Sequence, residues 1–180
     1  GVPAKPKRGG VPIIIVPSGL TSMVNMYNAQ PFLEAGRYVP AAEAHARANG
    51  QKPSLVVVNR TAGKASASEA APYHVVDKPP AKGSPDWQRV VAVITQGAKW
   101  QFKDFPFKGA AQGDMLETFR NVCGFYLHYS DEKVPETVSN WNVKRYALHR
   151  TNRHNDTKIM LDMYHTLDTF LLSRKSSLSF

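Results

Sequence analysis

Two stretches without a polar residue, Ile13-Ile14-Ile15-Val16 and Val90-Val91-Ala92-Val93-Ile94, constrain this chain more than anything else in it. A strand with one wet face alternates apolar and polar residues, so an unbroken β-branched run reads as a strand covered on both faces. Pro12 and Pro17 bound the first run. Layers are therefore needed on both sides of these strands, and helical patterns supply them. Thr21 or Ser22 can cap a helix carrying Met23, Met26, Tyr27 and Leu33, irregular at Pro31 and ended by Gly36. A second helix over Ala41–Ala48 stops at Asn49-Gly50. Leu55–Val58 and Tyr73–Val76 read as strands, joined by an aperiodic Ala/Gly/Ser/Lys run from Thr61 to Ala71 that reads as a mobile hairpin loop. Ser84 caps a turn with Pro85 at its first position. A helix from Asp114 to Val122, ended by Gly124, leads into a strand at Phe125–Tyr129. After Pro135 a linker holding Trp141 precedes a strand at Val143–Leu148. The last helix, from about Asn155 to Ser173, buries Ile159, Met163, Leu167, Phe170 and Leu171. This alternation predicts an α/β fold: a three-layer sandwich with a mixed, mostly parallel central sheet, Ile13–Val16 and Val90–Ile94 at its middle.

The 180 residues suit one domain that needs no covalent staple. The expected division is a linker over 1–11, the domain over 12–175 and a tail over 176–180. The opening Gly1–Gly10 segment has the composition of a linker within something longer. A single cysteine, Cys123, excludes an internal disulfide framework and a multi-cysteine zinc site. No apolar run approaches the roughly 18 residues of a membrane span, and no signal-peptide pattern is present.

Several chemistries lack their residues. A phosphate-binding loop needs closely spaced glycines followed by Lys and Ser/Thr. The strand-to-helix junction here reads Val16-Pro17-Ser18-Gly19-Leu20-Thr21-Ser22, with no lysine and no second glycine. Gly63-Lys64 continues into Ala65, and no D-x-x-G or N-K-x-D string occurs. Hydrolysis of GTP is therefore not expected, and no cofactor is implied. The six histidines fall into no metal-binding spacing, no G-x-S-x-G elbow exists, and Cys123 reads as an inert, partly buried thiol. Nothing in the sequence makes an enzyme.

Charge is distributed unevenly. The formal net charge is +9. Lys5, Lys7 and Arg8 crowd the first ten residues, while residues 141–180 hold seven bases against three acids. Such a balance suits an anionic partner, whether phosphoprotein, acidic peptide or nucleic acid, or else a basic face that keeps the domain soluble.

Three ordered groups of strings carry a resemblance. Pro12–Pro17 is followed by Met26-Tyr27-Asn28-Ala29 and Phe32-Leu33-Glu34. Trp87-Gln88-Arg89-Val90-Val91-Ala92-Val93 is followed by Gly97 and Trp100-Gln101-Phe102-Lys103. Trp141-Asn142-Val143 is followed by Arg153-His154. Over residues 12–175 the chain resembles the C-terminal Ras-like domain of the parafibromin family, a subunit of the polymerase-associated factor complex. The resemblance implies a small-GTPase-like fold without a nucleotide site, and action in the nucleus. It also implies partners: other subunits of that complex, phosphorylated C-terminal repeats of RNA polymerase II and of elongation factors, and transcribed chromatin. Asp86-Trp87-Gln88 stands where the family has Asp-Trp-Asp, which leaves Arg89 without that acidic neighbour.

The candidate partner-binding residues are Trp100, Arg89, Lys144, Arg145, Arg150 and Arg153. Trp100 lies in a loop at the carboxyl end of a central strand, where open α/β sheets place binding sites, and tryptophan and arginine dominate interface hot spots. Phe105 and Phe107 read equally well as core or as contact. Lys144, Arg145, Arg150, Arg153 and Lys158 form the dense basic stretch, with Lys5-Pro6-Lys7-Arg8 adding non-specific attraction. Arginine suits bidentate phosphate contact. Arg150 and Arg153 also flank the start of the last helix, whose free N–H groups favour an anion. A phosphopeptide-binding module, a direct nucleic-acid binder and a docking surface for other subunits all remain compatible with these residues. No stacking platform or nucleic-acid-binding motif accompanies the basic stretch.

Overall fold

The computed structural model describes residues 9–180, so the basic arm Lys5–Arg8 lies outside the described residues. Six strands form one sheet in the order β2-β3-β1-β4-β5-β6. They are β1 (Ile13–Ile15), β2 (Val56–Arg60), β3 (Ala71–Val76), β4 (Val90–Thr95), β5 (Cys123–Tyr129) and β6 (Lys144–Leu148). All neighbours pair parallel except β2 and β3, which form an antiparallel hairpin around residues 61–70. The helices are α1 (Ala29–Ala35), α2 (Ala41–Arg47), α3 (Leu116–Asn121), α4 (Glu136–Ser139) and α5 (Asp156–Ser173).

The two apolar runs are unbroken because successive residues enter different cores. Ile14 joins Phe32, Leu33, Met163, Tyr164 and Leu167 on the α1/α5 side. Ile13 and Ile15 join Val93, Phe102, Phe105, Phe119 and Val122 on the other. At roughly 1.5–3 kcal/mol for each fully buried aliphatic side chain, this two-sided burial favours β1 and β4 at the centre of the sheet. In α5 the buried residues Met160, Met163, Tyr164, Leu167 and Leu171 recur at steps of three and four, one face of a helix.

Element ends shift by a residue or two from the sequence reading at several places, among them β2, β3 and α3, and three departures have a structural cause. The first helix begins only at Ala29, uncapped by Thr21 or Ser22. Asn25 and Asn28 compete for the preceding backbone: Asn28 Oδ1 accepts from the Asn25 N–H (2.9 Å), Asn25 Oδ1 accepts from the Tyr27 N–H (3.0 Å), and Asn28 Nδ2 donates to Met23 and Val39 carbonyls. Pro31 is then the third helical residue, where its missing N–H costs nothing. Gly124 does not end a helix. It is the second residue of β5, and a Cβ there would lie 2.7 Å from the Phe119 ring and from Val143 Cγ1. Residues 176–180 fold back as well, with Leu178 buried and Phe180 packed on the core.

Candidate partner-binding surface

The loop that follows β1, where the sequence lacks a phosphate-binding pattern, is tied to the chain that leaves β4. Ser22 is buried and its hydroxyl donates to Gln96 Oε1 at 2.5 Å. The asparagine bonds described above tie down much of the remaining loop. Among the described residues, no group of three His, Cys, Asp or Glu side chains could hold a metal ion.

The aromatic segment 87–108 divides sharply. After β4 the chain makes a tight 3-10 turn over Lys99–Phe102. Gln101 turns inward and its Nε2 donates to the Ile94 carbonyl at 3.1 Å. Phe102 is fully buried, its ring 5.0 Å from Phe105, 5.7 Å from Phe119 and 5.5 Å from Trp141. Trp87 covers Phe105 and Phe107 edge-on, at 4.9 and 5.7 Å. Phe105 is therefore core, and Phe107 packs partly buried against it. Trp100, in the middle of the turn, remains 52% exposed.

Arg89 is not without an acidic neighbour. Asp86, three residues earlier, takes its Nη1 at 3.1 Å, while Nε donates to the Val11 carbonyl at 2.8 Å and Nη2 to His74 Nδ1 at 3.1 Å. A guanidinium only donates, so Nδ1 of His74 accepts and its ring proton belongs on Nε2. Burial, helped by the Arg89 charge, holds His74 below its usual pKa. Arg89 thus fastens the start of the domain to its sheet, with one bond from each of its three nitrogens.

Arg150 and Arg153 are brought together, although through rings rather than through an anion. Arg150 lies 4.0 Å over the Tyr129 ring and Arg153 lies 5.0 Å over Tyr38. These two tyrosines meet edge-on at 6.2 Å. Arg150 donates to Asp131 at 2.7 Å and to Glu132 at 2.6 Å. Arg153 Nη1 lies 3.8 Å from Asp156. Asp156, the first residue of α5, is itself the buried anion at that helix start, accepting from the Tyr38 N–H at 3.4 Å. Its burial raises the carboxyl pKa, against the lowering influence of Arg153. Three carboxylates thus surround two arginines. At the expected anion site, both arginines already have acidic neighbours within the chain, while no side chain caps the first N–H groups of α5.

The remaining bases lie on or near β6. This strand is a sheet edge and carries Lys144 and Arg145, both exposed. Tyr146 and Leu148 turn inward to the α5 core, and Tyr146 donates its hydroxyl to Asp162 at 2.6 Å. Lys144 lies on the same face, 3.9 Å from Asp162, both side chains about half exposed. Such a pair contributes at most about 1 kcal/mol. Arg145 points to the opposite face, beside Tyr126 on β5. It forms no ion pair among the described residues. Lys158 is exposed on α5.

One strong electrostatic feature has no local sequence signature. Arg60, the last residue of β2, is 1% exposed and grips Asp168 of α5 with both nitrogens, at 2.5 and 2.7 Å. Its Nε donates to the Ala62 carbonyl at 3.0 Å, and its Cζ lies 4.5 Å over the Tyr164 ring. Burial alone would lower the guanidinium pKa, but the hydrogen bonds it donates to Asp168 and to the Tyr73 hydroxyl outweigh that and raise it. The pairing joins residues 108 positions apart.

The family model described as RNA pol II accessory factor, Cdc73 family, C-terminal, matches residues 8–170. The "Protein CDC73 homolog" of Arabidopsis thaliana is 38% identical over 170 residues, which cover 93% of this chain and 40% of that protein. The "Cell division control protein 73" of Schizosaccharomyces pombe is 33% identical over 175 residues, covering 96% of this chain and 45% of that one. The chain thus spans less than half the length of either relative. Among solved structures, "The conserved domain of yeast Cdc73" matches with a TM-score of 0.76 at 28% identity, over 91% of this chain and 98% of that one.

Proposed function

Because the chain belongs to the Cdc73 family of RNA polymerase II accessory factors, we propose that it is a non-enzymatic interaction domain of the polymerase-associated factor complex. In this reading it acts in the nucleus, binds phosphorylated C-terminal repeats of polymerase or elongation factors, and promotes association with transcribed chromatin. The observation that supports anion recognition is the strip Lys144-Arg145 on β6. No acid occurs from Val143 to Arg150, and Arg145 is exposed and unpaired among the described residues. Trp100 supplies an exposed ring of the kind that anchors protein interfaces.

The test is one titration series across ligand classes and salt concentrations. Phosphorylated and unphosphorylated repeat peptides are compared with duplex DNA and single-stranded RNA. The expected result is at least tenfold tighter binding of the phosphorylated peptide, about 1.4 kcal/mol. Trp100→Ala should weaken that binding while leaving the melting temperature unchanged. Equal affinity for both peptides, with tight nucleic-acid binding that falls steeply with salt, would assign the surface to nucleic acid instead.

A further inference from the structure

The same strip has a second property, which concerns its backbone rather than its charge. The Ser130 N–H donates to the Leu148 carbonyl at 2.8 Å, so the polar groups of Leu148 face β5. Backbone direction alternates along a strand. Lys144, Tyr146 and Leu148 therefore direct their N–H and C=O groups to β5, while Arg145 and Ala147 direct theirs outward. β6 ends the strand order, and no described strand pairs with its outer side. Both outward residues are exposed, and Ala147 offers no bulk.

Free sheet edges invite added strands, and proteins usually block them with proline, a bulge or an inward-pointing charge. Here the register with β5 runs unbroken from Phe125↔Lys144 to Tyr129↔Leu148, without bulge or proline. The blocking device present is positive charge, which repels cationic strands and attracts anionic ones. We propose that β6 accepts an extended phosphorylated segment as a seventh strand, with outward N–H and C=O groups of Arg145 and Ala147 bonding its backbone and Lys144 and Arg145 facing its phosphates. Main-chain bonds provide affinity in such an addition, and alternate side chains provide specificity. Five residues of strand give an edge of roughly 16 Å, enough for two or three bonded residues of the incoming segment. The inference rests on the reading of β6 as the anion-recognising surface and adds how the segment is held.

The probe is an eight-residue Thr/Val peptide with phosphoserine at two adjacent positions, so that one phosphate falls on each face of the added strand, and its unphosphorylated counterpart. Two further versions carry backbone N-methyl groups on alternate residues, one set in each phase. The expected result is phosphorylation-dependent binding that one methylated set loses by tenfold or more while the other keeps it within twofold. Amide exchange at Arg145 and Ala147 should slow on binding, and Arg145→Glu should weaken binding by at least tenfold. Ala147→Pro removes an outward donor without touching the β5 ladder, and should bind at least tenfold more weakly. If that variant does not fold, amide exchange in the native chain decides. Phosphorylation-dependent binding with both methylated sets alike and both amides unprotected would overturn strand addition and leave the anion-surface reading standing. Binding indifferent to phosphorylation, or none, would overturn that reading and the strand addition with it.

Discussion

Replacing Asp168 by alanine should strand a charge in the interior. Arg60 is 1% exposed and depends on Asp168 for two of its hydrogen bonds. Removing one partner of a buried pair costs about 3–5 kcal/mol. Asp168 is 29% exposed, so water reaches one side of the pair. The Ala62 carbonyl and the Tyr164 ring also stay in place, which puts the loss near the lower end, about 3 kcal/mol. With a urea m-value of about 2 kcal/mol/M, the unfolding midpoint falls by about 1.5 M. Arg60→Met should cost less, about 1 kcal/mol, because the carboxylate left behind can turn to solvent and the stem volume is kept. Adding Arg60→Met to Asp168→Ala should therefore restore stability by about 2 kcal/mol, since the stranded cation is gone. Urea unfolding followed by far-ultraviolet circular dichroism on the four proteins completes the cycle. A double variant less stable than Asp168→Ala would show that packing, not an unpaired guanidinium, causes the loss.

Gly124→Ala should destabilise by about 1–3 kcal/mol in the same assay, because its Cβ meets the Phe119 ring and Val143 at 2.7 Å; an unchanged midpoint would mean that these neighbours yield freely. Burial pushes the Cys123 thiol up to about 12, so a thiol reagent at pH 8 should label the native chain only as fast as it unfolds, and rapid labelling would contradict the packing of β5. His74 has a folded pKa held below 6.5, so the unfolded chain takes up this proton first as pH falls. Its contribution to stability is therefore present above about pH 6.5 and is lost progressively below it. His74→Gln should flatten that part of the profile of unfolding free energy against pH, and an unaltered slope would remove His74 as the cause.

The parts of the fold readable in the sequence were those set by local pattern. Ile13–Ile15 and Val90–Thr95 stand at the centre because nothing but a two-sided core accepts such runs. Ser84 caps its turn, accepting from the Asp86 N–H at 3.1 Å, as a serine before proline should. The Asn25/Asn28 bonds were not readable, because which backbone groups an asparagine claims depends on where the chain turns next. Gly124 looked like a helix stop because the sequence cannot show the Phe119 ring lying across it. Among the site residues, charge was legible and pairing was not. Arg150 and Arg145 are equivalent as letters, yet Arg150 meets Asp131 and Glu132 across a loop and Arg145 meets no acid among the described residues.

That contrast gives the most direct test of anion recognition at β6. The affinity of a phosphorylated repeat peptide is measured by calorimetry for the native chain, for Lys144→Ala/Arg145→Ala and for Arg150→Ala. The expected result is a loss of tenfold or more in the β6 double variant and less than twofold in Arg150→Ala, whose guanidinium is already satisfied. A tenfold loss in Arg150→Ala with the β6 variant unchanged would contradict the assignment and place the site at the start of α5.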